Sequence, residues 1–266
     1  MPLGNKSNSA TWSDWDFNLK VAARHVPFIE GVSKYGFNSS VVAVVEDVWS
    51  NGGVLQYLTS DETMNIVSSS ASDDGSPLGT GARTVTIFGL DANYKGIRET
   101  ITLNGTTNVL TTSSFIRIIR MRVDTVGSGG VNTGTISATS SSSATIQASI
   151  PTLSGATFKS HYTVPSGFFA FIRDINYGAL NNDQVQFDLQ TRAQEGSWIT
   201  RDRVSTVENF IAPPLSNPLR LPPKSDVRVQ VVRIAGSGNV QVSVRYEMHL
   251  IKEDYINKNS ILVDET

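Results

Sequence analysis

From Val41 to Lys252 the chain alternates apolar and polar residues with a period of two, and this pattern restricts the fold more than any other feature. Successive side chains of a β-strand point to opposite faces, whereas a helix repeats every 3.6 residues. The pattern divides into about thirteen segments of strand length, and essentially none of it has a helical period. We therefore predict an all-β protein.

The predicted strands are the alternating runs bounded by turn residues. They cover residues 40–49, 53–59, 63–70, 83–90, 96–104, 114–123, 134–140, 144–150, 161–179, 183–193, 197–207, 225–236 and 239–252.

The segments between these strands contain residues that reverse the chain. Glycine tolerates positive φ, and Asn and Asp form turns by bonding to their own backbone. Parallel strands would need crossovers of about a dozen residues, usually helical, and the sequence has none. We therefore predict antiparallel pairing, with reversals at Asp73-Asp74-Gly75, Asn104-Gly105, Gly127-Ser128-Gly129-Gly130, Asn181-Asn182-Asp183 and Gly236-Ser237-Gly238-Asn239.

A polar run from Ser137 to Ser160 indicates a domain boundary, because it holds few charges and only isolated large apolar residues. The short strands after it, with a proline-rich loop before the last hairpin, are typical of a jelly roll or a related sandwich. The predicted fold is two antiparallel β-sandwiches in tandem, jelly-roll-like, with an extended N-terminal arm. The predicted ranges are 1–40 for the arm, 41–152 and 153–254 for the sandwich domains, and 255–266 for a C-terminal tail.

Charge and composition exclude several classes of protein. The net charge is −2 and the 22 Lys and Arg residues are scattered, so the chain lacks the basic footprint of a direct nucleic-acid binder. With no cysteine, it has neither disulfides nor thiolate sites. No window approaches the roughly 18 apolar residues that span a bilayer, and the first residues lack the apolar core of a secretory signal. We expect synthesis in the cytosol and no membrane partner.

Candidate reactive residues do not form a known catalytic or metal-binding pattern. Glu99 falls on the apolar side of its strand, where a bulge or a satisfied buried carboxylate explains it better than catalysis. Asp73 and Asp74 lack the ligand ladder of a calcium loop and are predicted to form a plain turn. No histidine pair has metal-ligand spacing, because more than eighty residues separate His25, His161 and His249. We predict no catalytic residue, cofactor or metal.

The residues predicted to make protein contacts are aromatic or cationic. Residues 1–40 carry aromatic anchors and little core of their own, which favours docking on a neighbour. Arginines spread along strands favour an interface face, since Arg and aromatic residues are enriched at protein contacts. The predicted contact residues are Trp12, Trp15, Tyr35, Phe37, Trp49, Phe169, Arg117 and Arg120.

Four stretches together resemble a group of virion structural proteins encoded by tailed double-stranded DNA phages. They are VSKYGFNSSVVAVVEDVWSNGG (32–53), SDDGSPLGTGARTVTIFGLDANYKGIRETITLNGTT (72–107), SFIRIIRMRV (114–123) and HYTVPSGFFAFI (161–172). The resemblance implies a particle component such as a capsid decoration, minor capsid, head-fibre, neck or tail protein. It implies binding to the major capsid protein or other virion proteins, location in the virion after synthesis in the host cytoplasm, and no catalytic motif.

Closed cyclic symmetry would protect the sheet edges of such a protein, and a homotrimer is the first expectation. Two other functions stay open at this point. A carbohydrate-binding tail or spike module would stack sugars on exposed aromatic rings such as Trp198, Tyr177 and Phe169. A glycoside hydrolase would need two carboxylates about 5 to 10 Å apart, and it would draw on Glu195, Asp188 and Asp202.

Overall fold

The computed structural model describes residues 16–180, 183–207, 210–213 and 217–259, and within them the protein is all-β, as predicted. Its two short helices are α1 (Phe17–Ala22) and α2 (Glu253–Asn259). The first strands along the chain are β1 (Ile29–Val41), β2 (Glu46–Asp47), β3 (Met64–Ser68), β4 (Ala82–Leu90), β5 (Gly96–Thr102), β6 (Val109–Leu110), β7 (Arg117–Val126), β8 (Ile136–Ser140) and β9 (Ile146–Ile150). The remaining strands are β10 (Tyr162–Thr163), β11 (Phe168–Leu180), β12 (Gln184–Arg192), β13 (Ile199–Val207), β14 (Phe210–Ile211), β15 (Leu219–Leu221), β16 (Asp226–Ala235) and β17 (Val240–Lys252).

The described strands form four antiparallel sheets. Sheet 1 has the order β1-β17-β11-β14, and β15 also pairs with β11. Sheet 2 has the order β10-β16-β12-β13, and β2 also pairs with β16. Sheet 3 has the order β6-β3-β8-β9, and sheet 4 has the order β5-β4-β7. The predicted antiparallel pairing is confirmed.

The hydrophobic core consists of two clusters, and each cluster lies between two sheets. The larger cluster combines Tyr177 and Val244 of sheet 1 with Phe187 of sheet 2, and the rings of Tyr177 and Phe187 lie 5.2 Å apart. The smaller cluster combines Ile66 of sheet 3 with Ile87 of sheet 4. Both clusters follow from strands that send every second side chain inward.

The jelly-roll arrangement is not confirmed. The four sheets are arranged like the blades of a four-bladed propeller. The smaller cluster draws on residues 58–150, whereas the larger one draws on residues 41–48 and 162–250. The domain ranges given above therefore stay a prediction, except that residues 29–40 form a strand and not part of an arm.

The predicted arm is corrected for residues 29–40, which form most of β1. This strand pairs with β17 from Ile29 to Val41 in one antiparallel register with a single shift after Asn38. The sequence pattern hid it because its inward positions are small or polar. Lys34, Gly36 and Asn38 are all buried.

The predicted strand at 53–59 does not form a strand, because side chains bind its backbone. Leu55 N–H donates to the Asp47 carboxylate at 2.8 Å. Gln56 C=O accepts from the Gln147 amide at 3.0 Å, and Leu58 C=O accepts from the Arg117 guanidinium at 2.8 Å. The segment is extended and Leu55 and Leu58 are buried, so its alternation is real although it belongs to no sheet.

The predicted turns at Asp73-Asp74-Gly75 and Asn104-Gly105 are present. Gly105 has φ +53°, a backbone conformation that favours glycine. The predicted turn at 181–183 lies partly outside the described residues, because they omit Asn181 and Asn182.

Asp73 joins sheets 3 and 4 through the turn that it begins. Its fully buried carboxylate accepts hydrogen bonds from the Ser68 hydroxyl at 2.6 Å and from the N–H groups of Ala82, Thr133 and Gly134 at 2.7 to 2.8 Å. Four donors occupy the oxygens that a calcium ion would need. The plain-turn interpretation of this residue fits its surroundings.

No helix in the described part of the chain has the length and apolar character needed to cross a membrane.

Asp73→Asn is expected to lower the free energy of unfolding by about 2 to 4 kcal/mol, because the amide group would face N–H donors with its own NH₂. Urea unfolding followed by tryptophan fluorescence and circular dichroism measures the change. Asp74→Asn is the matched control, since the Asp74 carboxylate accepts one bond, from Ser76 N–H, that an asparagine oxygen can also accept. A loss below about 0.5 kcal/mol in Asp73→Asn would contradict the structural role.

Candidate functional site

Two of the predicted contact residues, Tyr35 and Phe37, lie together on the outer face of sheet 1. Tyr35 is 43% exposed and Phe37 is half-buried. Both rings make edge-to-face contacts with Phe158, at centroid distances of 5.4 and 6.3 Å. Alternation along β1 places the two side chains on the same face, and Phe158 reaches them from the segment before β10.

Phe37 forms one wall of a hollow across sheet 1. The register places Phe37 opposite Ser243, Ser243 opposite Gly178, and Gly178 opposite Phe210, so the four residues form a row across β1, β17, β11 and β14. Small residues on the two middle strands leave a space of about 280 Å³ between the two phenylalanine rings. Phe210 is 67% exposed. We call this space the outer hollow.

Gly178 is needed for the depth of the outer hollow. A Cβ at this position would lie 2.8 Å from the Ser243 hydroxyl and 3.7 Å from the Phe210 ring. Any side chain there would fill the floor of the hollow. The hollow has the size and apolar walls to receive one large apolar side chain of another protein.

A second concave surface runs along the other side of β1. It measures about 500 Å³ and is bordered by residues 31–35 of β1, by Ile119 and Arg120 of β7, and by residues 156–158. We call it the β1 groove. Tyr35 and Phe158 border it, whereas Phe37, which also contacts Phe158, borders the outer hollow.

The β1 groove carries two cations that make no ion pair with a carboxylate of the described residues. The Lys34 ammonium is buried and donates to the Ile119 carbonyl at 2.9 Å. Burial, with a smaller contribution from the neighbouring Arg120 charge, lowers the pKa of Lys34 to about 7. Arg120 is exposed.

Two other predicted contact residues, Trp49 and Arg117, are buried, so their assignment to a contact surface is corrected. Trp49 is 3% exposed, and its indole N–H donates to the Gly53 carbonyl at 3.1 Å. Arg117 is 8% exposed, because its guanidinium satisfies the backbone of the loop before β3 and a carboxylate of β16. Both residues therefore make contacts in the interior of the protein and not on its surface.

Arg117 belongs to a network around Asp226 that joins the two clusters. The Arg117 Nε and Nη2 atoms contact the two Asp226 oxygens at 3.1 and 3.2 Å. Arg192 Nε contacts the same carboxylate at 2.8 Å, and the Thr163 hydroxyl donates to it. The remaining Arg117 nitrogen donates to Leu58 C=O at 2.8 Å. Two guanidinium groups therefore compensate one buried carboxylate.

Aromatic rings separate the arginines of this region. Tyr57 lies between Arg117 and Arg192, with guanidinium carbons 4.8 and 4.4 Å from the ring centroid. Trp198 lies between Arg192 and Arg228, at 4.6 and 4.0 Å. Cation–π attraction stabilises each contact and reduces the repulsion between like charges.

A second buried carboxylate, Asp47, holds the other side of this region. It accepts from His161 Nε2 and Leu55 N–H at 2.8 Å and from the Gln230 amide at 3.0 Å. Burial opposes its charge, but the His161 interaction and the Leu55 N–H keep the pKa of Asp47 below its usual value. Burial lowers the pKa of His161, although Asp47 acts in the opposite direction.

Lys159 adds a buried cation beside Trp49. Its ammonium donates to the carbonyls of Ile118 at 3.0 Å and Gln147 at 2.6 Å. Burial holds the pKa of Lys159 well below its ordinary value, and the charges of Lys34 and Arg117 add to the shift. These contacts tie β7, β9 and the segment before β10 together.

The remaining predicted contact residues lie elsewhere. Phe169 lies at the start of β11, with the Arg220 guanidinium 4.4 Å from its ring centroid. Trp12 and Trp15 lie outside the described residues.

The aromatic residues suggested for sugar stacking are covered. Tyr177 is fully buried and its hydroxyl donates to Asp202 at 2.8 Å. Arginines lie over Trp198, and Arg220 lies over one face of Phe169. Tyr177 is therefore closed to a sugar ring, and arginines already occupy ring faces of Trp198 and Phe169.

The carboxylates suggested for other chemistry have structural partners. Glu99 accepts from the N–H groups of Thr112 and Ser113 at 2.8 Å, and these bonds hold its pKa below the usual value against partial burial. Glu99 is hydrogen-bonded as predicted, although it is half-buried and not buried, and its strand pairs with β4 without a bulge. Asp188 forms an ion pair with Arg203 at 2.7 Å. Among the described residues, no group of three His, Asp or Glu side chains could hold a metal ion.

The sequence missed Lys34, Phe158, Gly178 and Phe210 as members of these surfaces. Phe158 and Phe210 are isolated aromatic residues in polar or proline-rich stretches, and that isolation is a usable signal. Gly178 follows a run of larger residues in β11, and glycine within a strand often marks close approach of another group.

Comparisons with known proteins yield no assignment. No protein-family model and no curated protein matches the chain. Weak structural likeness is found to the infectious bursal disease virus Gx strain, with 8% identity, a TM-score of 0.19, and coverage of 85% of this chain and 76% of that one. The Gt strain gives 10% identity, a TM-score of 0.18 and coverage of 89% and 86%. The VP2 subviral particle of that virus gives 10% identity, a TM-score of 0.17, and coverage of 87% of this chain and 83% of that one. TM-scores this low do not establish a common fold.

The Asp47–His161 pair predicts a defined loss of stability in acid. Because the pKa of His161 in the folded protein lies below its ordinary value of 6.5, the unfolded chain binds more protons as the pH falls below 6.5. The free energy of unfolding should therefore decrease from pH 6.5 downwards until the folded pKa is passed. Urea unfolding between pH 8 and pH 5 measures this decrease.

His161→Gln is the informative variant for this prediction, because it cannot take up the proton. The stability difference between wild type and His161→Gln should be constant above pH 7.5 and shrink below pH 6.5. A difference that stays constant down to pH 5 would show that protonation of His161 does not destabilise the folded protein in this pH range.

Proposed function

We propose that this protein is a non-enzymatic structural component of a tailed-phage particle that assembles by protein–protein contacts. Within that class it fits a capsid decoration, minor capsid or head–tail protein, made in the host cytoplasm and incorporated into the virion as a homo-oligomer, with a trimer as the first expectation. The observation that carries the proposal is the outer hollow of sheet 1, together with the aromatic contact of Tyr35, Phe37 and Phe158 beside it.

The chemistry of this surface supports a protein partner. Aromatic residues and Arg supply most of the hot spots at protein interfaces, and such residues work best as anchors in or beside a pocket. Here two phenylalanine walls enclose a floor of Ser243 and Gly178, and Arg245 of β17 lies opposite Tyr35 in the next row of the outer face. An inserted apolar side chain would meet a floor formed by the paired strands β17 and β11.

One strand of the structure, β1, contains part of the sequence that resembles the phage proteins. The stretch VSKYGFNSSV, which is part of the resemblance, forms most of β1. Its Tyr-Gly-Phe core places both aromatic rings on the outer face and a buried glycine between them. Gly36 is required there, since a Cβ would lie 2.5 Å from the Val48 carbonyl oxygen. This motif therefore builds a contact surface on a tightly packed strand.

The buried ionisable groups favour a structural role over a catalytic one. Asp47, Asp73 and Asp226 each accept three or more hydrogen bonds from groups that the fold itself positions. Such carboxylates hold strands and loops together, and a substrate would have to displace those donors.

Replacing both walls of the outer hollow tests the proposal. The double variant Phe37→Ser and Phe210→Ser should fold, because Phe210 is mostly exposed and Phe37 lies outside both core clusters. Its copy number in purified virions should fall at least about tenfold, the effect of losing one hot spot. Quantitative mass spectrometry of virions from cells infected with phage carrying the variant gene measures this number.

Leu78→Ser is the matched control for the double variant, because Leu78 is an equally exposed apolar residue that lies outside both concave surfaces. It should be incorporated at the wild-type level. Wild-type incorporation of a folded Phe37→Ser/Phe210→Ser protein would exclude the outer hollow as the contact surface.

The proposed arm is tested by a deletion that ends before the described structure. Removing residues 1–40 would also remove β1, so the deletion should cover residues 1–15 only, which contain Trp12 and Trp15. The shortened protein should keep its unfolding transition and lose incorporation into virions. Incorporation at the wild-type level would show that the segment makes no required contact.

A further inference from the structure

Leu153 is exposed in the turn that follows β9. It is 69% exposed, and its φ of +60° lies in the left-handed region of backbone conformation. That region is unfavourable for a residue with a large side chain and is ordinarily occupied by glycine or asparagine. The fold therefore presents a large apolar side chain to solvent at a position where a smaller or more polar residue would be less strained.

The buried side chain of Asn132 holds this turn in its conformation. Leu153 N–H donates to the Asn132 main-chain carbonyl at 3.1 Å. Gly155 N–H donates to Asn132 Oδ1 at 2.9 Å, and the Asn132 amide donates to Pro151 C=O at 2.8 Å. These bonds fix the backbone on both sides of Leu153. A backbone already held in one conformation loses less freedom on binding than a flexible loop does.

The strain at Leu153 has no counterpart in the packing of its own chain. Residues in unfavourable backbone conformations cluster at functional sites. Within the described part of the chain, Phe28 is the other large apolar residue that is exposed and has a positive φ, but its ring stacks on Tyr255. Leu153 lies outside both hydrophobic clusters. A contact with another molecule would give this side chain the burial that its own chain does not supply.

The outer hollow has the size and the chemistry to receive a leucine side chain. A cavity of about 150 Å³ takes up a benzene molecule, and the outer hollow measures about 280 Å³ between the rings of Phe37 and Phe210. No charged side chain of the described residues lines it. The turn around Leu153, residues 151–155, has no charged residue either. The two surfaces therefore match in size, in apolar character and in the absence of charge.

The partner that carries this leucine is a second copy of the chain. Leu153 is mostly in solvent, so it does not fill the outer hollow of its own molecule. Every copy has one Leu153 and one outer hollow, and the two are different surfaces. A contact between them is heterologous, and repeated heterologous contacts close into a ring when the rotation between copies allows it.

We propose that Leu153 of one copy inserts into the outer hollow of the next copy, so that the protein assembles into a closed ring through this repeated contact. The inference rests on the homo-oligomer of the proposed function and names the contact that forms it. The walls Phe37 and Phe210 then enclose the leucine, with Gly178 and Ser243 beneath it.

Sedimentation velocity and light scattering on the purified full chain test the proposal. The wild-type protein should form a closed oligomer, and Leu153→Asn should raise its dissociation constant at least about tenfold, the effect of losing one hot spot. Asparagine adopts positive φ readily, so the turn should keep its conformation. Leu153→Met keeps a large apolar side chain and should keep the assembly. Circular dichroism checks that each variant is folded.

Leu78→Asn is the matched control for Leu153→Asn. Leu78 is 70% exposed, lies in another turn and does not line the outer hollow. Its replacement removes the same exposed apolar area and should leave the dissociation constant unchanged.

Cross-linking between copies tests the direction of the contact, because the chain contains no cysteine of its own. Ser154 follows Leu153, and Gln241 lines the outer hollow. The double variant Ser154→Cys and Gln241→Cys should be joined into covalent oligomers by a short bis-maleimide. Either single variant should stay uncoupled, since neither residue faces its own counterpart in a heterologous contact.

Three results would overturn the proposal. The first is a wild-type protein that is monomeric at every concentration at which it is soluble, and the second is a folded Leu153→Asn protein that assembles as the wild type does. The third is efficient cross-linking of Ser154→Cys alone, which would indicate a two-fold contact. Because these measurements use purified protein, a monomer that still enters virions through the outer hollow would exclude this contact and leave the virion role standing.

Discussion

The carboxylates of Asp47 and Asp226 hold the two hydrophobic clusters in contact, and the surfaces of the protein depend on that contact. An isolated buried carboxylate costs several kcal/mol, and only close, well-aligned partners compensate the cost. Arg117 and Arg192 supply them for Asp226, while His161, Gln230 and Leu55 N–H supply them for Asp47. Because these bonds are directional, they fix the position of β7 against β16 more narrowly than apolar packing would. The β1 groove exists only while β7 keeps that position.

The alternation of residues was enough to predict the sheets, but it did not separate strands from other extended segments. β4 and β7 were predicted because their inward residues, such as Val85, Ile87 and Met121, are apolar. The segment 53–59 has the same pattern, yet Asp47, Gln147 and Arg117 bind its backbone in place of a neighbouring strand. Those partners lie far away in the sequence. Local pattern therefore predicts extension and burial, whereas pairing depends on long-range contacts.

The errors about the site have the same origin. β1 was assigned to an arm because Lys34, Gly36 and Asn38 are poor core residues. All three nevertheless lie on the buried face of the strand. Lys34 donates to Ile119 C=O, Gly36 packs against Val48 C=O, and the Asn38 amide donates to the Glu46 carboxylate. Trp49 and Arg117 were assigned to a surface because their residue types are typical of interfaces. Residues of the same types also occur in buried polar regions, where a ring or a guanidinium packs against apolar neighbours and also makes a hydrogen bond. Tyr35, Phe37 and Arg120 were predicted as contact residues, and the structure places all three around β1.

The edges of the sheets explain why β1 is the strand from which contacts are most strongly expected. The edge strands β5 and β13 carry charged residues that disfavour pairing with other chains, namely Arg98 and Glu99 on β5 and Arg201 and Arg203 on β13. β1 is longer than either and consists mostly of small and neutral residues, so it is protected less by its own outward side chains. β1 carries two charged residues, the exposed Glu30 near its start and the buried Lys34, and an inward-pointing lysine disfavours pairing between two copies of an edge strand.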